Sequence, residues 1–109
     1  MNSSAALDRS FLALSHPVRR TIVARLAAGP ATVGAASGDL GVSKPAVTKH
    51  LKVLEDAGLL DRTVTGRTHV LGLRPGALEA ATDWLELHRD LWERKFATVE
   101  RHLREEDER

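Results

Sequence analysis

The chain has 109 residues, no cysteine and a formal net charge of +1 at pH 7. This length predicts a single domain spanning residues 1–109, and the lack of cysteine excludes disulfides and thiolate metal sites. No segment has the ~18 apolar residues of a membrane span, and the N-terminus lacks a signal-peptide pattern. We therefore expect a cytoplasmic protein with no membrane partner.

The small net charge hides an uneven distribution of charge along the chain. Residues 1–74 carry ten Lys and Arg against five Asp and Glu, a balance of +5. Residues 75–109 carry six against ten, a balance of −4. Because attraction to phosphate depends on the local field rather than on the total charge, the first part of the chain is compatible with DNA binding.

Three helices are predicted in the first third of the chain. The first covers residues 6–14 and has one apolar face. The second begins after Ser15 as N-cap and stops at a Gly-Pro pair. Near its start, Arg19 and Arg20 are open to a phosphate contact or a structural salt bridge. The third helix is capped by Thr32, and its glycines mean that it must gain stability from its neighbours.

A fourth helix is predicted in the segment GVSKPAVTKHLKVLEDAGLL, residues 41–60, with Ser43 as N-cap and Gly58 just past its end. At about 100° per residue, its large apolar side chains and His50 fall on one arc. This arc predicts packing, with His50 as a hydrogen-bonded core residue rather than a base reader. Lysines and Thr48 occupy the other arc, a composition that a solvated helix face would also show.

A hairpin and a long helix complete the predicted elements. A Thr-Gly pair separates two runs of β-type residues, so a hairpin is expected over residues 59–73. Pro75 then opens an uninterrupted helical pattern from about residue 76 to residue 104. This helix would be about 43 Å long, and its apolar arc is wider than the ~100° stripe that suits packing on one core.

The surplus apolar face of the last helix predicts that a second copy of the chain covers it. Tryptophan and phenylalanine also suit an apolar ligand pocket, which stays open as the alternative. In the expected two-fold pair, the dimer-interface residues are Leu7, Phe11, Trp84, Leu91, Trp92 and Val99.

The third helix, the tight LGVS turn and the fourth helix predict a helix-turn-helix over about residues 32–57, followed by the hairpin as a wing. In this motif the second helix enters the major groove of double-stranded DNA and offers its first residues to base edges. Lysine contacts phosphates or guanine acceptors, and threonine contacts phosphate or base. The residues predicted to contact DNA are Lys44, Thr48, Lys49 and Lys52 on the helix, with Arg62 and Arg67 on the wing.

The stretch LSHPVRRTIVARLAAGPATVGAASGDLGVSKPAVTKHLKVLEDAGLLDRTVTGRTHVLGL resembles the winged helix-turn-helix of ArsR/SmtB-type bacterial transcriptional regulators, over roughly residues 10–74. The most specific parts are HPVRRTIVARL, VSKPAVTKHLKVLEDAGLL and GRTHVLGL. The resemblance implies a mainly α fold with a small β-hairpin and a long terminal dimerisation helix. It also implies a homodimeric repressor that binds an operator near a promoter. By position, its groove-facing set is Ser43, Lys44, Pro45, Thr48 and Lys49, with Arg67 at the wing.

The chain departs from the resemblance at the positions that sense metals in some members. Members with a thiolate site carry Cys-x-Cys before the turn, where this chain has AASGD. Members with zinc ligands on the last helix show D-x-H followed by H-x-x-H/E, which falls here on Glu86, His88, Val99 and His102. Valine cannot bind zinc, so we expect no metal site and no cofactor. Whether a small-molecule effector exists is left unknown.

Catalysis is not expected, because no nucleophile–base arrangement and no Gly-rich phosphate loop is recognisable, and no catalytic residue is assigned. The main hypothesis is a homodimeric repressor with two recognition helices ~34 Å apart on an inverted-repeat operator. One alternative is a metal- or small-ligand-responsive repressor with an effector site between the C-terminal helices. Another is a winged helix used as a protein-interaction module, which would lack the steep salt dependence of DNA binding.

Overall fold

The computed structural model describes residues 3–107, with the side chains from residue 5 onward, so residues 1, 2, 108 and 109 of the predicted domain lie outside it. Within this range the fold is mainly helical with a small antiparallel sheet, as predicted. The elements in chain order are α1 (Ser3–Ala13), α2 (Pro17–Ala27), β1 (Ala31–Thr32), α3 (Val33–Ser37), α4 (Lys44–Asp56), β2 (Leu60–Thr65), β3 (Thr68–Leu73) and α5 (Glu79–Asp107).

The start of α2 differs from the prediction. His16, not Ser15, is the N-cap: its Nδ1 accepts a hydrogen bond from the backbone N–H of Val18 at 3.1 Å. The Ser15 hydroxyl instead donates to the carbonyl of Leu12 at 2.6 Å. Ser15 was predicted because serine is a commoner N-cap than histidine, but its hydroxyl bonds to a carbonyl at the end of α1 instead.

The two helices of the predicted helix-turn-helix begin as expected. The Thr32 hydroxyl accepts from the N–H of Ala35 at 3.2 Å at the start of α3. The Ser43 hydroxyl accepts from the N–H of Ala46 at 3.3 Å at the start of α4. Each bond satisfies an N–H that the first helical turn leaves unpaired, which contributes about 1 kcal/mol.

The core forms where α2 and α4 meet the hairpin. Its largest fully buried side chains come from these elements and from the residue before β2, and they are Ile22, Leu51, Leu54, Leu59, Leu60 and Leu71. Burial of each such side chain stabilises the fold by about 1.5–3 kcal/mol. Since Val47, Leu51 and Leu54 are all buried on α4, the predicted packing arc of this helix is the one that faces the core.

The hairpin is present with a turn one residue later than predicted. β2 pairs with β3 up to Thr65 opposite Thr68, so the loop is Gly66-Arg67. Gly66 has a φ of +61°, which a glycine adopts without the steric cost that other residues meet. The shift places Arg67 in the loop, at the tip of the hairpin.

The strand β1 was not predicted, because two residues are too few to show a strand period. It pairs with the other edge of β3, giving the order β1-β3-β2, with Ala31 opposite Leu71. β1 leads directly into α3, whose N-cap Thr32 is also the last residue of the strand. The sheet therefore anchors the otherwise weak third helix.

The last helix begins and ends about three residues later than predicted. Gly76 has a φ of +74°, and hydrogen-bonded turns precede the helix, so α5 starts at Glu79. Ala81 is its one buried residue within the described part of the chain. Much of α5 extends away from the core, and the molecule measures 73 × 35 × 22 Å. No helix in residues 3–107 is long and apolar enough to cross a membrane.

Candidate nucleic-acid interface

The outward face of α4 carries most of the residues predicted to contact DNA. Opposite the buried leucines, the exposed residues at the start and along the first turns of this helix are Ser43, Lys44, Pro45, Thr48, Lys49 and Lys52. The acids Glu55 and Asp56 follow only in the last turn. The exposed face is therefore positive where a recognition helix meets base edges and phosphates, and acidic only at its far end.

The polar side chains on this face differ in whether they already have a hydrogen-bond or ion-pair partner within the chain. The Thr48 hydroxyl donates to the carbonyl of Lys44 at 3.1 Å, so its oxygen remains an acceptor. Lys52 Nζ lies 3.5 Å from a carboxylate oxygen of Asp56, an exposed pair of the kind that contributes about 0–1 kcal/mol. Among residues 3–107, no carboxylate is within ion-pair distance of Lys44 or Lys49.

The two predicted wing residues lie around one open depression but have different surroundings. Arg62 and Arg67 both line this depression, together with Thr68 and His69 of β3. Arg67 is exposed at the hairpin tip. The Arg62 side chain is only 28% exposed, because its guanidinium donates to a carboxylate oxygen of Glu55 on α4 and lies 3.1 Å from Nδ1 of His69.

Two arginines that the sequence did not single out hold this surface in place. Arg25 on α2 donates to the carbonyl oxygens of Ala36 at 3.3 Å and Gly38 at 2.7 Å, at the end of α3. Arg74 donates twice to Asp61 Oδ1, at 2.9 and 2.8 Å, across the base of the hairpin. The carbonyl partners of Arg25 carry no sequence signal, so this contact was not predictable from residue type.

On its inner side, α4 is connected to α1 and α2 through His50 and Arg19. His50 is half-buried, and its Nδ1 lies 3.0 Å from Nη1 of Arg19. The His16 ring is tilted against the His50 ring with centroids 4.4 Å apart. Burial, then the neighbouring His16 and Arg19, lower the pKa of His50 below its ordinary value of 6.5. His50 therefore faces inward, as the helical pattern predicted.

The predicted dimer residues form two groups on the surface. Phe11 of α1 packs edge to face on Trp84 of α5 within one chain, with ring centroids 5.7 Å apart, and Leu7 is half-buried. Leu91, Trp92 and Val99 are exposed further along α5. The other exposed large apolar side chains of α5, which the prediction did not include, are Leu85, Leu87, Phe96 and Leu103.

The histidines of α5 make local contacts. His88 lies with Nδ1 2.8 Å from the carbonyl oxygen of Trp84 and stacks on the Trp84 ring, with centroids 4.1 Å apart. His102 Nε2 is 3.4 Å from a carboxylate oxygen of Glu106, one helical turn later. Within the described residues of a single chain, no three His, Asp or Glu side chains are grouped so that they could hold a metal ion.

A short helix, a turn, a basic exposed helix held by its apolar face, and a two-stranded hairpin together define a winged helix-turn-helix protein. Residues 14–63 match a family described as a helix-turn-helix domain. The chain is 45% identical over 80 residues to the HTH-type transcriptional regulator Rv2034 of Mycobacterium tuberculosis, and the aligned part covers 73% of this chain and 75% of that protein. It is 28% identical over 79 residues to the transcriptional repressor SdpR of Bacillus subtilis, and this aligned part covers 72% of this chain and 88% of that protein.

Solved structures give the same result. An ArsR family transcriptional regulator matches with a TM-score of 0.75 and 32% identity, over 83% of this chain and 93% of that chain. An ArsR-like transcriptional regulator from Rhodococcus sp. RHA1 matches with a TM-score of 0.71 and 27% identity, over 91% and 93%. The chain belongs to the ArsR family of winged helix-turn-helix transcriptional regulators, which confirms the resemblance drawn from its sequence.

Proposed function

We propose that the protein is a homodimeric repressor that binds double-stranded DNA at an inverted-repeat operator. The observation that carries this proposal is the exposed, positively charged first half of α4. Lys44 and Lys49 have no carboxylate partner among the described residues, whereas the opposite face of the helix is buried. A buried face fixes the orientation of the helix, and unpaired cations attract phosphate. The name of the Bacillus subtilis relative, a transcriptional repressor, supports repression as the outcome.

In this proposal the DNA-contacting groups divide by the kind of contact. Lys44, Thr48 and Lys49 face the floor of the major groove, with Ser43 and Pro45 beside them at the start of α4. Arg67 reaches the neighbouring phosphates or minor groove from the hairpin tip. The two remaining predicted contacts, Lys52 and Arg62, each pair with a carboxylate and would reach phosphate with the donors that this pair leaves free.

The partner that covers α5 is proposed to be a second copy of the same chain. Exposed apolar residues recur along α5 at spacings of seven, four, three and four residues, from Leu85 through Trp92, Phe96 and Val99 to Leu103. Such spacings form one stripe along a helix, as in helices that pair lengthwise. The Phe11–Trp84 contact continues this surface toward α1. A two-fold pair places two α4 helices on successive major grooves, ~34 Å apart.

The test is a binding titration with the duplex of highest affinity that the full-length protein selects from random sequences. Lys49→Ala should weaken binding to this duplex by about 1–3 kcal/mol, roughly 5- to 150-fold, if Lys49 reads a base. Arg101→Ala is the matched control, because it removes one exposed positive charge from α5 and leaves the α4 surface intact. Equal affinities for the two variants would contradict the assigned face.

Salt dependence separates DNA binding from a winged helix that serves as a protein-interaction module. Each phosphate contact should lower the logarithm of the binding constant by about 0.9 per tenfold rise in salt. A set of several phosphate contacts therefore gives a steep slope together with a preference for the selected sequence. Duplex binding with neither slope nor sequence preference would contradict the proposal.

A cytoplasmic location is part of the same proposal, because a protein that acts on bacterial promoters works in the cytoplasm.

A further inference from the structure

Arg19 of α2 connects the end of α1 to the inner side of α4. Its guanidinium donates from Nε to the carbonyl oxygen of Ala13 at 2.6 Å and from Nη2 to that of Leu12 at 3.1 Å. Nη1 lies 3.0 Å from Nδ1 of His50, and Nη2 also donates to the Ser15 hydroxyl at 3.4 Å. Arginine has hydrogen-bond donors and no acceptor, so Nδ1 of His50 must be the acceptor. The contact therefore requires His50 to be neutral, with its proton on Nε2.

His16 places a second ring beside His50. Its Nδ1 accepts the N–H of Val18 as the N-cap of α2. The two rings lie in contact, with centroids 4.4 Å apart. Among residues 3–107, no carboxylate is within ion-pair distance of either ring or of the Arg19 guanidinium. We name His16, Arg19 and His50 the basic cluster.

Protonation of His50 would disrupt the basic cluster from within. Its Nδ1 would become a donor that faces the Arg19 donor, and the new positive charge would lie beside Arg19 and His16. The lowered pKa of His50 has the same cause, since burial and these two neighbours disfavour its charged form. His50 follows Lys49 and Thr48 in the chain, so a shift of its backbone moves the outward face of α4 as well.

We propose that Arg19 and His50 are positioning residues that hold the recognition helix on α1 and α2 only while His50 is neutral, so that acidification weakens DNA binding. This inference rests on the proposed DNA-binding function. The predicted loss of DNA affinity at low pH is opposite to the effect of charge alone. Protonation of histidines makes a protein more positive and should by itself strengthen its attraction to phosphate.

The DNA test uses fluorescence anisotropy with the selected duplex at pH 7.5, 6.5 and 5.5 and constant ionic strength. Wild-type affinity should fall between the highest and the lowest pH, and because the pKa of His50 lies below 6.5 the loss should stay below about tenfold for each copy of the chain. In His50→Asn the amide oxygen can accept the Arg19 hydrogen bond but does not titrate, so this variant should bind as wild type does at pH 7.5 and lose less at pH 5.5. His102→Asn, at an exposed site on α5, should keep the wild-type profile. Unchanged or tighter wild-type binding at pH 5.5, or the same loss in His50→Asn, would overturn the inference.

A second measurement needs no DNA and tests the coupling even if the proposed function fails. NMR titration of the full-length wild type should show that amides at residues 12–13 of α1 and 48–50 of α4 follow the titration of the His50 ring. The His50→Asn variant should lack this common transition. In Arg19→Gln the loss of one positive neighbour should move the His50 titration to higher pH. Helices that respond independently of His50, or an unmoved titration in Arg19→Gln, would refute the positioning role.

Discussion

Glu55 on α4 accepts a hydrogen bond from the guanidinium of Arg62 on β2, so an ion pair joins the proposed recognition helix to the wing. The same guanidinium lies 3.1 Å from the His69 ring on β3, which ties in the second strand of the hairpin. Arg62, one of the two wing arginines predicted to contact DNA, therefore also connects both strands of the wing to α4.

Because Arg62 pairs directly with Glu55, the effects of substitutions at these two residues on DNA binding should not be additive. Glu55→Ala and Arg62→Ala should each weaken binding to the selected duplex, because each releases the wing from α4. The double variant should be less weakened than the sum of the two, with a coupling of about 0.5 kcal/mol or more, as expected for residues in direct contact. Binding titrations of the four proteins give this coupling. Fully additive losses would show that the ion pair does not position the wing.

Self-association should depend on α5 and not on other exposed apolar residues. Val99 on α5 and Val64 in the wing are similarly exposed, at 53% and 55%, and so provide a matched pair. In Val99→Asp a charge replaces an apolar contact in both copies at once, so the dimer should weaken by about 2 kcal/mol or more, roughly 30-fold. Val64→Asp should associate as wild type does. Sedimentation velocity at micromolar concentration checks both, and equal dimerisation of the two variants would exclude Val99 from the interface.

Ser43 is both the N-cap of α4 and a predicted DNA contact, and two substitutions separate these roles. Ser43→Asp retains a good cap, and its carboxylate interacts favourably with the helix N-terminus, so the free energy of unfolding should stay near that of wild type. DNA binding should fall at least about tenfold, because the carboxylate would face phosphates. Ser43→Ala should instead lower the unfolding free energy by about 1 kcal/mol. Urea unfolding and duplex titration measure both, and a Ser43→Asp protein that binds DNA normally would place this residue outside the interface.

The stability of the fold should decline on mild acidification because of His50. Its pKa is lowered in the folded state, so below pH 6.5 the unfolded chain binds more protons at this residue than the folded chain. The free energy of unfolding should therefore be highest above pH 6.5 and decrease as the pH falls through 6.5 toward the lower, folded-state pKa. Urea midpoints at pH 7.5, 6.5 and 5.5 test this. The decrease should be smaller in His50→Asn, and identical profiles for both proteins would contradict the assignment to His50.

Local signals in the sequence were sufficient to predict most of α4 and its surroundings. The caps at Thr32 and Ser43, the apolar arc with Leu51 and Leu54, and the outward position of Lys49 all follow from residues within one or two helical turns of one another. The hairpin was predicted for the same reason, since its strands are joined by a two-residue loop. Such features depend on backbone geometry and on the spacing of apolar residues, which neighbouring residues determine.

Only the tertiary structure determines the contacts between residues that are distant in the chain. Arg19 and His50 are 31 positions apart, and Arg25 reaches the end of α3 across 13 positions. The donors of an arginine are satisfied equally well by a carbonyl, a carboxylate or a phosphate, so residue type alone left Arg19 and Arg20 open to several partners. Packing of α1, α2 and α4 selects one partner set for Arg19 and thereby connects the basic helix to the rest of the fold. The sequence determined which face of α4 is exposed, and the tertiary structure determined which side chains hold that face in position.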